Sequence, residues 1–233
     1  MKKILSAIVS RYLVTGVLAG GALLFMASNA MSQSTVTLAD LAAGGSVTNG
    51  DKVFYDFQNI SQVGNLTVPL SDIYVVPTED EGDLGFQFQS ALWSLTGPLQ
   101  SYDLGFDFLV RTTDGQPLIE DDTLEVTGGI LYDGSTHIAE DISLPSEGGT
   151  VATSLAYINS TGANTEEDTD FVGGPYSVIE IAKDFAMNTG SNPNSQVFVS
   201  HFDQTFSQVP EPSSALFLGL GGLALACYRR FTR

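Results

Sequence analysis

Short segments with alternating apolar and polar positions recur through the middle of this chain. Phe86 and Phe88 alternate with Gln87 and Gln89, so the two kinds of side chain point to opposite faces of an extended strand. Other short segments rich in Val, Ile, Phe and Tyr are bounded by Gly, Pro, Asn and Asp, which is typical of strands between turns. The predicted strands lie within residues 53–57, 73–76, 85–88, 104–110, 124–126, 151–157, 176–181 and 197–202.

Apolar residues do not keep a helical spacing for long in this region, and only residues 38–43 are predicted to form a helical turn. Many short strands with turn residues between them favour an all-β fold over a mixed one. The pattern therefore predicts an antiparallel β-sandwich, with a jelly-roll-like arrangement as the alternative.

One hexapeptide pattern occurs twice, as residues 83–88 (DLGFQF) and again twenty positions later as residues 103–108 (DLGFDF). The simpler interpretation is two neighbouring strands, each with an Asp in a turn, a Gly at a bend and two Phe in the core. The alternative is that Asp83 and Asp103 form a shared cation or ligand site.

The first 30 residues have the composition of a secretory signal peptide. Lys2 and Lys3 precede an apolar stretch at residues 12–26, and small residues follow, which predicts cleavage after Ala30. An uncleaved membrane anchor is the alternative interpretation. Residues 31–209 are predicted to be the exported domain.

Residues 210–233 contain three parts in a fixed order: a Pro-rich start, an apolar run at residues 215–228 and a basic end. The apolar run is shorter than the ~20 residues that span a bilayer comfortably, and we expect a short transmembrane helix. Its basic end is expected to stay in the cytoplasm by the positive-inside rule. The residues with assigned roles are Pro210, Glu211 and Pro212 in the sorting and processing motif, and Arg229, Arg230 and Arg233 in the cytoplasmic basic anchor.

This tail resembles the PEP-CTERM sorting signal of Gram-negative bacteria, which has also been labelled an ice-binding protein C-terminal motif. The resemblance implies processing by an exosortase, transient anchoring in the inner membrane, and release to the cell surface or the extracellular space. It also implies a setting of exopolysaccharide production. A permanent single-pass anchor is the rival interpretation of the same residues.

The net charge of −18 is unevenly distributed along the 233 residues. Residues 31–209 contain three cations and 26 acidic residues, or 3 − 26 = −23. This excess argues against a nucleic-acid partner, because phosphate binding needs clustered Lys and Arg. The single cysteine, Cys227, lies in the tail, so the domain cannot form a disulfide.

Residues that could carry chemistry are few or scattered. His137 and His201 are far apart in the sequence and are expected to be solvated or half-buried, and Trp93 is expected to lie in the core. The acidic runs at residues 79–83, 120–122 and 166–170 are expected to be solvated loops, with calcium binding as the alternative. No nucleophile elbow or phosphate-binding loop occurs, and no catalytic, cofactor or metal residue is assigned.

The sequence thus predicts an exported, non-enzymatic protein with a structural or adhesive role at the cell surface or in an exopolysaccharide matrix. A carbohydrate- or calcium-dependent binding module is the alternative function. A secreted hydrolase on the same scaffold is a further alternative, and it requires converging carboxylates of perturbed pKa.

Overall fold

The computed structural model describes residues 35–113, 117–145 and 148–209, and most of these residues lie in β-strands. One short helix, α1 (Leu38–Ala42), begins at a capping box in which Thr37 and Asp40 bond to each other's backbone N–H. A single 3-10 turn lies at Leu70–Asp72. The strands are β1 (Val36–Thr37), β2 (Ser46–Asn49), β3 (Lys52–Gly64), β4 (Tyr74–Asp80), β5 (Asp83–Gln89), β6 (Ser94–Thr96), β7 (Ser101–Thr112), β8 (Asp121–Leu131), β9 (Gly134–Ser143), β10 (Thr150–Asn159), β11 (Gly162–Asn164), β12 (Glu166–Asp170), β13 (Val178–Thr189) and β14 (Gln196–Phe206).

The strands form two antiparallel sheets. Sheet I has the order β1-β4-β5-β14-β8-β12, with β6 paired to β14, and sheet II has the order β11-β10-β9-β13-β7-β3-β2. From β6 onward the chain crosses repeatedly between the sheets. The last strand, β14, lies between β5 and β8, and β13 lies between β7 and β9. This insertion of late strands between early ones is the double Greek key of a jelly roll, which was the alternative to a simpler sandwich.

Aromatic side chains fill the space between the sheets. Phe88 of β5 contacts Phe106 of β7 and Phe202 of β14, with ring centroids 5.1 and 4.8 Å apart. Trp93 is 1% exposed and stacks on Phe202, so its predicted place in the core is confirmed. Alternation along β7 is complete, because every second residue from Tyr102 to Thr112 is buried. Burial of this apolar surface is the main force that holds the two sheets together.

The simpler interpretation predicted that the repeated hexapeptides form neighbouring strands, and this prediction is wrong. Residues 83–88 lie in β5 of sheet I, residues 103–108 lie in β7 of sheet II, and their rings meet across the core. The prediction that both pairs of Phe are buried is confirmed. The alternation of apolar and polar residues fixes which face of a strand points into the core. It does not fix the sheet to which the strand belongs, because strands of both sheets have the same alternation.

All the predicted strand segments and the predicted helical turn are present in the structure. Strand β9 was not predicted from the sequence, because its inward positions include Thr136 and Glu140 as well as apolar residues. The prediction of a loop at residues 166–170 is wrong, since they form the edge strand β12 against β8. A solvent-exposed edge accommodates acidic side chains that a central strand would not.

The predicted signal peptide, its cleavage site at Ala30 and the tail at residues 210–233 lie outside the described residues. Within residues 35–113, 117–145 and 148–209, no helix has the length and apolar character needed to cross a membrane.

Candidate functional site

A shallow trough of about 580 Å³ lies on the outer face of sheet II, across β9, β10 and β13. Directly paired residues of antiparallel strands point to the same face, so the pairing register gives the layout of this surface. Three outward-facing rows cross the strands in the order β10, β9, β13 and β7. The first row is Thr153, Asp141, Ala182 and Asp107, and the second row is Leu155, Ala139, Asp184 and Gly105. The third row is Tyr157, His137, Ala186 and Asp103.

The trough exists because small residues occupy the central positions of these rows. Ala139 and Ala182 form its floor between the longer side chains of Asp141 and Asp184. The backbone of the floor belongs to strands β9 and β13, which are paired to neighbours on both sides. The floor is therefore a rigid surface from which the carboxylates project.

The rim beside β10 is apolar on one side and acidic on the other. Leu155 is 45% exposed and Tyr157 is half-buried one row away. Glu167 of β12 closes the trough from the other sheet and accepts a 2.7 Å hydrogen bond from Asn164 Nδ2. A second depression of about 450 Å³ adjoins the trough and shares Ala139 and Leu155 with it, so the two form one continuous concave surface.

Three titratable side chains interact at the end of the trough near β7. Partial burial raises the pKa of Asp103, the charge of Asp184 raises it further, and His137 acts in the opposite direction. Asp107, four positions beyond Asp103 on β7, accepts a 2.5 Å hydrogen bond from Asn59 Nδ2. The face is thus a set of carboxylate acceptors with one imidazole, on which hydroxyl or amide donors can bind.

A buried polar cluster lies beneath the floor of this trough, on the inner face of the same strands. Lys183 Nζ donates a 2.6 Å hydrogen bond to Glu140 Oε2, and neither side chain has any solvent exposure. From sheet I, Gln204 Nε2 donates to Glu140 Oε2 at 2.9 Å and to Asp122 Oδ1 at 2.8 Å. Ser154 Oγ donates to Asp122 Oδ2 at 3.3 Å. The cluster thus joins the two sheets through hydrogen bonds in a dry part of the core.

The surroundings of Asp122 in this cluster favour its protonated form. Burial raises the pKa of Asp122 well above its usual value, and the charge of Glu140 and a hydrogen bond to it raise the pKa further. Lys183 and Gln204 act in the opposite direction. With Asp122 protonated, the Lys183–Glu140 ion pair is neutral overall, which keeps the penalty for burying charge low.

The free energy of unfolding is expected to fall as the pH rises above about 4, the ordinary pKa of an aspartate. Asp122 keeps its proton in the folded state at pH values where the same residue in the unfolded chain has lost it. Its contribution to the free energy of unfolding is therefore full below the pKa of the unfolded chain and decreases as the pH rises above that pKa. The slope is at most about 1.4 kcal/mol per pH unit for one proton. Four other carboxyls with raised pKa values have the same sign: Asp83, Asp103, Glu125 and Asp203.

Urea unfolding of the wild type and of the Asp122→Asn variant across this pH range tests the dependence. The variant should show a shallower decline, because it lacks the buried titrating group. Asp40 and Asp133, whose pKa values are lowered by hydrogen bonds from Thr37 and Ser195, oppose the trend. A wild-type curve that rises with pH would contradict the assignment.

The outer face of sheet I carries carboxylates of a different kind. Asp203 and Glu125 are directly paired, and burial raises the pKa of both. His201 Nε2 lies 3.4 Å from Asp203 Oδ2, and both histidines are half-buried as predicted. A separate cleft of about 490 Å³ on this sheet is lined by apolar and polar side chains that include Tyr74 and Phe198.

The acidic runs are not the three separate loops that the sequence predicted. Asp122 of the second run is fully buried, and Asp83 of the first run lies near enough to Asp121 of the second and Asp168 of the third for their charges to raise its pKa. Asp83 and Asp103, the pair in the repeated hexapeptides, lie on different sheets. Among the described residues no group of three or more His, Cys, Asp or Glu side chains could hold a metal ion.

Sequence reasoning missed both the trough and the buried cluster, although a signal for the cluster is present. Glu140 lies in phase with Ile138 and Ile142, and Lys183 lies in phase with Ile181 and Phe185. A charged residue at a position where the alternation expects an apolar, inward-facing side chain points into the core, where it needs an oppositely charged or hydrogen-bonding partner. Which residue supplies that partner depends on the pairing of the strands.

The residues assigned to sorting from the sequence lie outside the described part of the chain: Ala30, Pro210, Glu211, Pro212, Arg229, Arg230 and Arg233. The profile of the PEP-CTERM protein-sorting motif matches residues 208–230. The chain carries a PEP-CTERM sorting motif. It follows that this is an exported protein, sorted to the cell surface through an exosortase system. None of the curated proteins matches the sequence.

Several solved structures match this chain at low similarity. One is TmCBM61 in complex with β-1,4-galactotriose, at 13% identity and a TM-score of 0.29, covering 64% of this chain and 89% of that chain. The enzymatically active domain of bacteriophage CBA120 tailspike protein 4 has the same identity and TM-score, covering 65% of this chain and 19% of that one. CsCBM6-3 from Clostridium stercorarium, in complex with cellobiose, is 17% identical with a TM-score of 0.19, covering 53% of this chain and 93% of that chain.

Proposed function

We propose that this PEP-CTERM protein is a non-enzymatic adhesive protein of the cell surface or exopolysaccharide matrix, and that it binds a neutral glycan in the trough on sheet II. The observation that carries the proposal is the combination of a rigid small-residue floor with projecting carboxylates and an apolar rim. This combination offers a sugar ring both polar and apolar contacts.

The chemistry of the trough suits a polyhydroxylated ligand. Asp141 and Asp184 project beside the alanines of the floor and accept hydrogen bonds from hydroxyl groups. Leu155 and Tyr157 provide apolar area at the rim, on which the C–H face of a sugar ring can pack. The concave surface continues past Leu155 into the second depression, so it has room for a chain of sugars rather than a single unit.

The charge of the domain selects among polysaccharides. The outer face of sheet II carries four aspartates, at positions 103, 107, 141 and 184, within a domain whose charge is near −23. A polyanionic glycan would be repelled from this surface, whereas a neutral one would not. We therefore propose a neutral polysaccharide as the ligand.

The roles of the chain ends in this proposal follow from the sorting motif. The signal peptide directs export, and the tail at residues 210–233 holds the domain transiently in the inner membrane, with Arg229, Arg230 and Arg233 in the cytoplasm. An exosortase then acts at or near Pro210–Pro212. The domain thereby reaches the compartment in which the proposed glycan is found.

Binding is tested by calorimetry of the exported protein with neutral exopolysaccharide from the producing cells. Asp184→Ala and Tyr157→Ala are each expected to weaken binding by roughly tenfold or more, since each removes a contact to the bound glycan. The matched controls are Asp168→Ala and Tyr74→Ala, which change the same residue types on sheet I and should leave affinity unchanged.

Absence of heat with neutral exopolysaccharide would overturn the glycan proposal. Equal losses in the sheet I controls would place binding elsewhere on the domain. Tighter binding to an anionic polysaccharide than to a neutral one would contradict the charge argument.

A further inference from the structure

The Lys183–Glu140 pair is arranged in an unusual way for an ion pair. The two residues are directly opposite each other on the adjacent strands β13 and β9, and both side chains point into the core. Lys183 Nζ is 2.6 Å from Glu140 Oε2, which holds the amine against the carboxyl group. An amine and a carboxyl group are thus held together where water is excluded.

We propose that Lys183 and Glu140 condense spontaneously in the folded protein to form an amide crosslink between β13 and β9. The reaction joins Lys183 Nζ to Glu140 Cδ and releases one water. It needs no oxidant, reductant or further reactant. The inference concerns the core of the domain and is independent of glycan binding in the trough.

The first step transfers a proton along the 2.6 Å hydrogen bond, from the ammonium group of Lys183 to the carboxylate of Glu140. The total charge of the pair is unchanged by this transfer. The lone pair of the amine nitrogen then attacks Glu140 Cδ, and the π electrons of the carboxyl group move to its unprotonated oxygen, Oε1.

Two residues of sheet I are placed to assist this step. Gln204 Nε2 donates a 2.9 Å hydrogen bond to Glu140 Oε2, the oxygen that receives the Lys183 proton and leaves as water, and so holds the carboxyl group in place. Asp122 Oδ1 accepts a hydrogen bond from the same Gln204 amide and, with its raised pKa, Asp122 supplies a proton to the leaving oxygen, Oε2. When water departs, the amide nitrogen loses a proton to Asp122, which restores its starting state.

Before the reaction, buried oxygens of the cluster lack hydrogen-bond donors, which costs free energy. Formation of the amide removes part of that free-energy cost. Glu140 Oε1 and Gln204 Oε1 accept no hydrogen bond from any amine, amide or hydroxyl group among the described residues. Condensation converts a buried carboxylate and ammonium into one neutral amide, so no buried charge remains at this pair. Loss of the water to bulk solvent makes the step difficult to reverse in a closed core.

A crosslink of this kind fits the composition of the domain. Residues 31–209 contain no cysteine, so a disulfide cannot stabilise them after export. An amide between residues 43 positions apart closes a long loop in the unfolded chain, which disfavours unfolding. The crosslink would also join the central strands β9 and β13, which lie beneath the proposed glycan-binding trough.

The test is the intact mass of the exported protein, compared with the mass calculated from the sequence of its processed chain, followed by tandem mass spectrometry of its proteolytic peptides. Wild type should be lighter than its sequence mass by one water, with the loss mapped to a branched peptide containing Lys183 and Glu140. The Lys183→Arg variant keeps the cation and should show the full mass. Lys52→Arg is the matched control, because Lys52 also contacts an aspartate, Asp51 at 3.5 Å, and should retain the loss.

The Asp122→Asn variant should slow the appearance of the lighter species by roughly tenfold or more, since it removes the proton donor. If that variant does not fold, the wild-type peptide map alone decides the question. A folded wild-type protein that keeps its full sequence mass after prolonged incubation would overturn the proposal and show that Lys183 and Glu140 form an ion pair only. A water loss mapped to other residues would overturn it as well.

Discussion

Replacing Phe88 by alanine is expected to lower the free energy of unfolding by about 4 kcal/mol. The ring has no solvent exposure and lies at the centre of the aromatic core. It contacts Phe86 on its own strand, Phe106 on the opposite sheet and Phe202 on the neighbouring strand, at centroid separations of 4.9, 5.1 and 4.8 Å. Its removal leaves a cavity that rigid strands on both sheets cannot close.

Urea unfolding measured by tryptophan fluorescence is suited to this variant, because Trp93 stacks on Phe202 within the same core. Phe198→Ala is the matched control: Phe198 is 46% exposed on the outer face of sheet I and its loss should cost much less. Equal destabilisation by the two variants would contradict the assignment of Phe88 to the centre of the core.

Replacing Gly85 by alanine is expected to destabilise the domain by about 3 kcal/mol. A methyl group at this position would lie 1.8 Å from the backbone oxygen of Gln204 and 2.6 Å from the Cα of Thr205 on the paired strand β14. Backbone in the middle of a sheet cannot move away without breaking its ladder of hydrogen bonds. The carbonyl of Gly85 also accepts a 2.8 Å hydrogen bond from the buried amide of Asn49, which such a shift would disturb.

The repeated hexapeptide supplies the control for this prediction. Gly105 occupies the equivalent place in the second copy, but a methyl group there would meet only the Ser61 hydroxyl, at 3.1 Å, and a Lys183 backbone atom, at 3.9 Å. A serine side chain can rotate, so Gly105→Ala should cost little. Thermal unfolding of both variants decides the matter, and a larger loss at Gly105 than at Gly85 would show that the packing of β5 against β14 is misassigned.

Strands β9 and β13 serve two functions through alternate residues. In β9, Ala139 and Asp141 face the trough while Glu140 faces the core, and in β13 Asp184 faces the trough while Lys183 faces the core. The proposed glycan site and the proposed crosslink are therefore back to back on the same pair of strands. Any variant of the inner residues that shifts these strands would also alter the trough, so the two proposals need the separate readouts of binding and mass.

The sequence by itself determined the fold class, the inward face of most strands and the sorting motif. These properties depend on local patterns: a period of two along a strand, turn residues between strands, and a tripeptide followed by an apolar run and a basic end. The same local reasoning placed Trp93 in the core and the histidines at half-buried positions, as the structure shows.

Only the tertiary structure decided which strands are neighbours, and with them the candidate sites. Residues 83–88 and 103–108 have the same inward pattern yet lie on opposite sheets, because alternation does not specify a partner. Glu140, Lys183, Asp122 and Gln204 lie on four strands from two sheets and meet through pairings that no spacing in the sequence encodes. The trough likewise depends on the register that aligns small and acidic residues of separate strands. Local periodicity fixes how each strand faces the core, whereas long-range pairing fixes what each side chain faces.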